Sequence, residues 1–260
     1  MKENSREGTE GGAFEPDSEP DSLPRIAAVI PSLNEAPSIS GVVEGMRKQS
    51  LLSEIIVVDN ASTDGTGDAA REAGARVVRE ARRGYGRACL AGVMAAKEAE
   101  ILVFLDGDAA DDPDDLPKVL GPLLDGEADL VIGSRALGER ESGSMTWQQV
   151  FGNNLAAFLM RRIYGMEVTD MGPFRAIRRE DLISLDMSEM TYGWPVEMMV
   201  KSARAGYRYH EVPVVYRRRI GVSKVGGTIS GSLRAGWRII LATFRYSRWR
   251  PGKKAKAARR

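Results

Sequence analysis

Residues 102–115 read LVFLDGDAADDPDD, and this stretch decides the interpretation of the fold. Its first four residues are apolar and run directly into Asp106-Gly107-Asp108, where the permissive backbone of Gly107 lets two carboxylates share one tight turn. A buried strand that ends in like charges predicts either a solvated acidic turn or a site for a cation. The rest of the sequence has to distinguish between these alternatives.

Apolar runs and segments with helical spacing alternate on both sides of this stretch. Strands are predicted at residues 25–33, 54–60, 75–80, 100–108 and 128–135, and helices at residues 38–49, 64–74, 84–99 and 116–124. Further along, helices are predicted at residues 147–164 and 194–205, with strands within residues 170–177 and 208–219. Apolar strands separated by helices indicate a parallel sheet with both faces covered. The predicted fold class is α/β, a Rossmann-like, mostly parallel sheet flanked by helices.

Polar residues fall at the carboxyl ends of the predicted strands, where ligands of such folds bind. They are Asn34-Glu35, Asp59-Asn60, and Asp106 with Asp108. This position favours the cation over the solvated turn, because two carboxylates can hold Mg²⁺ or Mn²⁺, and the metal can bridge two phosphates of a nucleotide.

Four more acids surround Pro113, namely Asp111, Asp112, Asp114 and Asp115. They are interpreted as acids at the N-terminus of the next helix, a position that the helix dipole favours. Asp112 can also line the site.

A glycine-rich segment, GYGRA (84–88), follows two arginines and begins a predicted helix. It can bind a pyrophosphate or a uracil edge, or it can be a simple glycine-rich turn. It does not continue as G-x-G-x-x-G, since residue 89 is cysteine, and this argues against a hydride-transfer enzyme.

The amino-acid composition limits the kinds of partner, disulfide and metal site that the chain can have. A net charge of +1 gives no bulk field for nucleic acid, and 43% hydrophobic residues are enough for a sizeable core in 260 residues. Cys89 is the only cysteine, so an intramolecular disulfide is excluded and a reducing cytosol fits. His210 is the only histidine and is interpreted as an ordinary strand residue, so a metal site has to use oxygen ligands.

Charge is distributed unevenly along the chain. Residues 1–24 carry seven acids and two bases, and they are predicted to be a disordered acidic segment. Residues 229–250 are predicted to form a basic amphipathic helix that either lies on an anionic bilayer or packs on the domain, and residues 251–260 a basic tail. The α/β domain is expected at residues 25–228. No run of ~18 apolar residues occurs, so membrane contact is expected to be peripheral.

Four motifs stand in order along the first half of the domain: PSLNE (31–35), VVDNASTDGT (57–66), RGYGRA (83–88) and FLDGDA (104–109). Together they resemble the family 2 glycosyltransferases with a GT-A fold. The later segments IGSR (132–135), TDMGPFRAIRRE (169–180), GWPVEMMV (193–200) and EVPVVYRRRIGVSK (211–224) resemble the branch that contains dolichyl- and polyprenyl-phosphate mannosyl- and glucosyltransferases. The resemblance covers about residues 25–245, and each motif alone would be weak.

The resemblance implies an inverting, metal-dependent enzyme with a nucleotide-sugar donor of the GDP-mannose or UDP-glucose type. It implies that the nucleoside is held by Pro31, Asn34, Glu35 and Asp59, with Arg87 near the base or phosphate. Asp106 and Asp108 would hold Mg²⁺ or Mn²⁺ and the diphosphate. Asn60 departs from many relatives, which have a second acid there, so base recognition is expected to differ.

The resemblance also implies a polyprenyl-phosphate acceptor, whose phosphate would be received by Arg135, Arg219 and Lys224 with help from Ser134. A lipid phosphate is already anionic at neutral pH, so a strong general base is less necessary. If the acceptor were a hydroxyl, Asp170, Glu197 or Asp108 would have to serve as the base. Asp170 and Glu197 can equally be structural.

Two other functions stay open at this point. The acceptor can be a soluble metabolite, a glycan or a protein, or the chain can be a non-catalytic, nucleotide-binding membrane scaffold. The clustered cations of RRRIGVSK favour a phosphate acceptor, and the intact Asp106 and Asp108 argue against a scaffold. The expected location is the cytoplasm, peripheral on the inner face of the membrane.

Overall fold

The computed structural model describes residues 24–221 and 241–252. Within these ranges the strands are β1 (Ile26–Ser32), β2 (Glu54–Asp59), β3 (Arg76–Arg79), β4 (Ile101–Phe104), β5 (Leu130–Ser134), β6 (Arg175–Arg178) and β7 (Tyr209–Pro213). They form one sheet in the order β3-β2-β1-β4-β6-β5-β7. Only β6 runs antiparallel to its neighbours, β4 and β5, among these strands. The predicted α/β fold with a mostly parallel sheet is confirmed.

Helices cover both faces of the sheet. They are α1 (Ala36–Arg47), α2 (Thr66–Glu72), α3 (Tyr85–Ala95), α4 (Leu116–Leu124), α5 (Trp147–Tyr164), α6 (Arg179–Ser184) and α7 (Trp194–Ala205), with short 3-10 turns at Pro113–Asp115 and Tyr246–Arg248. The bounds of α5 and α7 agree with the prediction. Helix α6 was not predicted, because six residues are too few to show a helical period.

Alternate residues of each strand supply two separate cores. Val29, Val58 and Leu102 pack with α3 and α7 on one face, whereas Ile30 and Val103 pack with α1 and α4 on the other. Since neighbouring side chains of a strand point to opposite faces, a strand buried on both sides has to be apolar throughout. This explains the uninterrupted apolar runs of β1, β2 and β4.

The C-terminal residues pack against α5 and α7. Residues 241–245 are helical, and Ala242 and Tyr246 are buried in the core. The ammonium group of Lys201 in α7 faces the rings of Tyr246 and Trp249 at 5.1 and 5.3 Å. For these residues of the predicted 229–250 helix, packing on the domain is therefore observed.

Some predictions fall on residues outside the described ranges. They concern Lys224, residues 1–23 of the predicted acidic segment, residues 229–240 of the predicted helix and residues 253–260 of the tail. The predicted domain boundary at residue 228 also falls there. Within residues 24–221 and 241–252, none of the helices combines the length and the apolar content needed to cross a bilayer.

Candidate active site

A pocket of about 700 Å³ opens at the carboxyl ends of the central strands. The loop after β1 forms one wall, the turn after β4 forms the floor, and residues after β5 and β7 close the opposite side. Seven residues predicted to belong to the site line this pocket: Pro31, Asn34, Glu35, Asp106, Asp108, Arg135 and Arg219. Of the other predicted residues in the described ranges, Asp59, Arg87, Ser134, Asp170 and Glu197 do not line it.

The floor of the pocket is acidic, with Asp106 and Asp108 lining it. Asp106 and Asp108 come from the turn after β4, and Asp111 folds back beside them. Enclosure by protein, together with the charge of Asp108, raises the pKa of Asp106 to about 7. The Tyr85 hydroxyl donates to Asp106 Oδ1 at 3.1 Å and favours its charged form. The charges of Arg219 and Arg135 also favour the ionised form of Asp106.

Asp111 is not an acid at a helix terminus, contrary to the prediction. It is 3% exposed, its Oδ2 accepts from the Asp106 N–H at 3.4 Å, and its Oδ1 has no hydrogen-bond partner among the described residues. Burial, followed by the charges of Asp106 and Asp108, raises its pKa well above the ordinary value. Its backbone bridges to Tyr216 in the segment after β7, a contact that no local pattern could reveal.

The remaining acids around Pro113 confirm the helix interpretation. Asp112 caps the 3-10 turn by accepting from the Asp114 N–H at 3.3 Å. Asp115 accepts from the side chain of Lys118 and from the Val215 N–H, both at 2.6 Å. Asp112 does not line the pocket.

Each arginine of the RRR motif pairs with a different acid. Arg217 pairs with Asp112, Arg218 with Glu141, and Arg219 with Asp108. The backbone follows the same course, since the N–H groups of residues 217 and 220 donate to the carbonyl oxygens of residues 110 and 108. The segment after β7 is therefore fastened along the acidic turn, and Arg219 reaches the pocket as a partner of Asp108.

Arg135 is held in one orientation by Asp170. Its Nε and Nη2 donate to the two carboxylate oxygens of Asp170, both at 2.7 Å, and its guanidinium lies over the Tyr216 ring at 4.9 Å from the centroid. Burial opposes the charge of Arg135, but the hydrogen bonds and charge of Asp170 raise its pKa above the ordinary value. A planar fork of this kind presents the remaining donors of Arg135 to the pocket.

Glu211 of β7 holds the backbone beside the Arg135–Asp170 ion pair. Its carboxylate accepts from the backbone N–H of Thr169 at 2.9 Å and of Asp170 at 3.1 Å. The Thr169 hydroxyl also bonds the hydroxyl of Ser134 at 2.7 Å, and Ser134 is fully buried. Ser134 and Asp170 thus fix the loop that carries Arg135, and Asp170 is engaged on both carboxylate oxygens.

The two adjacent residues at the end of β2, Asp59 and Asn60, line different pockets. Asp59 accepts from the Ser62 N–H at 2.9 Å and lines a second pocket of about 350 Å³. Asn60 lies in the main pocket, where its amide donates to the carbonyl oxygens of Glu80 and Arg82 and accepts from the Gly84 N–H at 2.7 Å. An aspartate could not make these two donations, which gives a physical reason for asparagine at this position.

The glycines of GYGRA allow the loop that contains Glu189 and Met190 to pack closely against them. A Cβ atom at Gly86 would lie 2.0 Å from the carbonyl oxygen of Glu189, and one at Gly84 would lie 2.3 Å from that of Met190. The Arg87 N–H donates to the same Met190 oxygen at 3.2 Å. The glycine-rich turn is therefore used for close packing, and Tyr85 between the glycines reaches the acidic floor.

Glu197 organises that neighbouring loop. It is completely buried, accepts from the N–H groups of Ser188 and Glu189 at 2.9 and 2.6 Å, and pairs with Lys201 at 2.7 Å. Thr191 and Tyr192, a few residues further on, line the pocket. Glu197 does not reach the pocket, so it supports a wall of the site and is not placed to act as a base.

Sequence reasoning missed several residues of the pocket. They include Tyr85, Gln149, Tyr192 and Tyr216. Tyr85 and Tyr216 lie inside motifs that were singled out, GYGRA and VVYRRR, so attention to the residue between the glycines and before the arginines would have found them. Gln149 and Tyr192 lack such a signal.

Comparison with known proteins identified a matching family and similar proteins. Residues 27–185 match the model of the family described as glycosyl transferase family 2. An uncharacterized glycosyltransferase of Mycobacterium tuberculosis is 38% identical over 221 residues, which cover 83% of this chain and 97% of that protein. An undecaprenyl-phosphate mannosyltransferase of Micrococcus luteus is 32% identical over 220 residues, covering 80% of this chain and 90% of that protein.

Among solved structures, the chain is similar to glucosyl-3-phosphoglycerate synthase from Mycobacterium tuberculosis in complex with Mn²⁺, uridine diphosphate and phosphoglyceric acid. The TM-score is 0.72 at 25% identity, and the match covers 88% of this chain and 80% of that one. The solved protein was thus crystallised with a metal, a nucleoside diphosphate and an anionic molecule on a similar fold.

Proposed function

This chain belongs to glycosyltransferase family 2, and from that premise we propose that it transfers a hexose from a nucleotide-sugar to a polyprenyl phosphate with inversion. The observation that carries the proposal is the pocket itself. It sets the carboxylates of Asp106 and Asp108 against the guanidinium groups of Arg135 and Arg219. Acids that can hold a metal–diphosphate unit thus face cations that can receive an anionic acceptor.

The donor is assigned to the side of the pocket formed by β1 and β2. Pro31, Asn34 and Glu35 line this side, and Asn60 and Arg83 lie next to them. We assign the nucleoside to these residues, while Asp59 and Arg87 support the loops around it. The candidate sugars are mannose and glucose, and the candidate nucleotides are GDP and UDP.

The acidic floor fits a divalent cation. Burial and the charge of Asp108 raise the pKa of Asp106, and Oδ1 of Asp111 has no hydrogen-bond partner among the described residues. Among the described residues no three metal-ligating side chains are arranged to hold an ion by themselves. Mg²⁺ and Mn²⁺ sites often use one or two carboxylates plus substrate phosphates, which fits Asp106 and Asp108. When bound, such an ion would offset the charge of the leaving diphosphate.

The acceptor phosphate is assigned to Arg135 and Arg219, with Lys224 as a further candidate. In the proposed reaction a phosphate oxygen forms a bond to the anomeric carbon, and the bond from that carbon to the diphosphate breaks with its electron pair. Because the attacking oxygen is already anionic, no side chain has to remove a proton from it. This agrees with Asp170 and Glu197 being engaged in structural hydrogen bonds.

A soluble anionic acceptor is the second candidate. It is supported by the similar solved structure, which was determined with phosphoglyceric acid and uridine diphosphate. The same arginine pair can receive a phosphate or a carboxylate, so the pocket chemistry fits both acceptors. The relative from Micrococcus luteus favours the lipid, as does the basic C-terminal sequence.

An acceptor screen tests the proposal. The full-length protein is incubated with GDP-mannose or UDP-glucose, Mn²⁺ or Mg²⁺, and either undecaprenyl phosphate, 3-phosphoglycerate or no acceptor. We expect an organic-extractable sugar phosphate lipid, identified by mass spectrometry, with one of the donors. A product formed only with 3-phosphoglycerate would replace the lipid with the soluble acceptor, and nucleotide binding without any transfer would support the scaffold. We propose that the protein works peripherally on the cytoplasmic face of the membrane.

A further inference from the structure

Helix α5 carries a stripe of three largely exposed aromatic side chains. Trp147, Phe151 and Phe158 are 75%, 64% and 56% exposed. At 100° per residue they lie within an arc of about 40° on the helix. The opposite side of α5 is buried through Ala156, Ala157 and Met160. The stripe is therefore a second apolar face on a helix that already has a core-facing one.

A separate group of exposed apolar side chains lies at the C-terminal end of α5 and in the segment beside it. Ile163 at the end of α5 is 40% exposed, and the Tyr164 hydroxyl donates to the Thr243 carbonyl oxygen, which joins α5 to residues 241–245. In that segment Leu241 and Phe244 are 48% and 55% exposed. Soluble monomers rarely expose large contiguous apolar patches, and such patches mark sites of interaction.

The charged residues within these two segments are all basic. Arg161 and Arg162 are exposed in the last turn of α5, and Arg245, Arg248 and Arg250 are exposed in the C-terminal segment. Residues 147–164 and 241–252 contain no aspartate or glutamate. Aromatic side chains next to arginines, without acids, are typical of a surface that inserts at the headgroup level of an anionic bilayer.

From these observations we propose that the α5 face, defined as Trp147, Phe151 and Phe158, docks on an anionic lipid bilayer. The inference deepens the proposed function, on which it rests for the lipid acceptor, and assigns membrane contact to α5, a helix within the α/β domain. Gln149 in the first turn of α5 lines the pocket. Docking through α5 thus brings the mouth of the pocket to the headgroup level, where a lipid phosphate lies.

Vesicle flotation of the full-length protein tests this docking. The variant Phe151→Ser/Phe158→Ser is compared with Met94→Ser/Ile183→Ser, whose side chains are similarly exposed, at 58% and 49%, on other helices. With phosphatidylcholine vesicles containing phosphatidylglycerol, we expect the first variant to lose about tenfold or more in vesicle partitioning, because two inserted aromatic side chains are removed. The control should stay within about twofold of the wild type, since scattered surface apolar residues are ordinary.

Two further measurements use a variant with fewer positive charges on α5 and the molar mass of the protein in solution. Arg161→Gln/Arg162→Gln should weaken binding to phosphatidylglycerol vesicles at low salt while leaving the thermal unfolding midpoint unchanged. Equal flotation of the two serine variants would overturn the proposal. So would light scattering that shows a wild-type dimer converted to a monomer by Phe151→Ser/Phe158→Ser, because the face would then bind a second copy.

Transfer assays separate this inference from the proposed function. Transfer to a short-chain, detergent-soluble polyprenyl phosphate should be retained in Phe151→Ser/Phe158→Ser, whereas transfer to a long-chain acceptor in vesicles should fall. If the wild type floats with vesicles but transfers to no polyprenyl phosphate, the proposed function fails and the docking surface stands. If both variants transfer equally to the acceptor in vesicles, the docking surface fails.

Discussion

Arg219 forms an ion pair with Asp108, 111 positions away in the sequence. Asp108 is 2% exposed, and the Arg219 side chain is 29% exposed, so the pair lies at the inner edge of the pocket. The second carboxylate of the D-x-D turn therefore has a protein cation beside it, at the position where a divalent metal would bind. In the proposed function, Arg219 therefore contacts both the metal-binding turn and the acceptor phosphate.

Removal of Arg219 should strengthen metal binding in the absence of nucleotide. We expect Arg219→Ala to raise the affinity for Mn²⁺ about tenfold, equivalent to ~1.4 kcal/mol, because the competing cation is gone. Calorimetric titration of Mn²⁺ measures this, and Arg218→Ala, which removes an exposed pair with Glu141, is the control. An unchanged or weaker Mn²⁺ affinity in Arg219→Ala would show that Asp108 is not a metal ligand.

The apoprotein should lose stability as the pH rises towards neutrality. The pKa of Asp106 is about 7 in the folded protein, against an ordinary value of 3.8, so the folded state binds more protons between these values. Stability then decreases with rising pH across this window. Thermal unfolding midpoints at pH 5 and 7.5 should differ more in the wild type than in Asp106→Asn. If the difference in midpoint between the two pH values were the same in both proteins, Asp106 would not be its cause. Mn²⁺ should raise the wild-type midpoint at pH 7.5.

Loss of Asp170 should affect acceptor binding and stability together. Asp170→Ala leaves the Arg135 side chain, which is only 12% exposed, without its ion-pair partner, and we expect a loss of about 3 kcal/mol in unfolding free energy. Urea denaturation measures this. Asp170→Asn keeps part of the hydrogen bonding and should mainly raise the acceptor KM. A variant with unchanged KM and an abolished kcat would instead indicate that Asp170 is a general base.

Glu197 and Lys201 should behave as a coupled buried pair. Glu197→Gln leaves the ammonium group of Lys201, which is 2% exposed, without its charge partner. Lys201→Met likewise leaves the buried carboxylate of Glu197 without its charge partner. In a double-mutant cycle we expect a coupling of about 1 kcal/mol or more, with the double variant less destabilised than additivity predicts. Additive losses would show that the pair does not couple, and loss of transfer in a stable double variant would make Glu197 catalytic.

The fold and the floor of the site were predictable because their signals are local. Uninterrupted apolar runs such as Ile26–Ile30 require a strand covered on both faces, and Asp106 and Asp108 directly follow such a strand. Parallel strands bring their carboxyl ends to one edge of the sheet, so Asn34 and Glu35 were placed near the acids without any long-range information.

The tertiary contacts of Asp111 and Asp170 were not predictable, because they involve segments that are distant in the sequence. Asp111 looks like a helix-terminal acid beside Pro113, but the left-handed backbone of Ala109, with φ of 62°, turns the chain back towards Asp106. Asp170 showed no local partner, whereas the structure gives it Arg135, 35 positions away. Glu197 differs, because its partner Lys201 lies four residues further along the same helix. A carboxylate in a motif is therefore a candidate base only until its tertiary contacts are known.

The central claim is that the D-x-D carboxylates support transfer of a sugar to a lipid phosphate. The most direct measurement is the rate at which labelled sugar enters the organic phase with undecaprenyl phosphate, compared between the wild type and Asp106→Ala. We predict transfer that EDTA abolishes and that Mn²⁺ or Mg²⁺ restores, and a loss of about 100-fold or more in Asp106→Ala, a typical cost of removing electrostatic stabilisation of a leaving group. Equal transfer by Asp106→Ala and the wild type would contradict the claim.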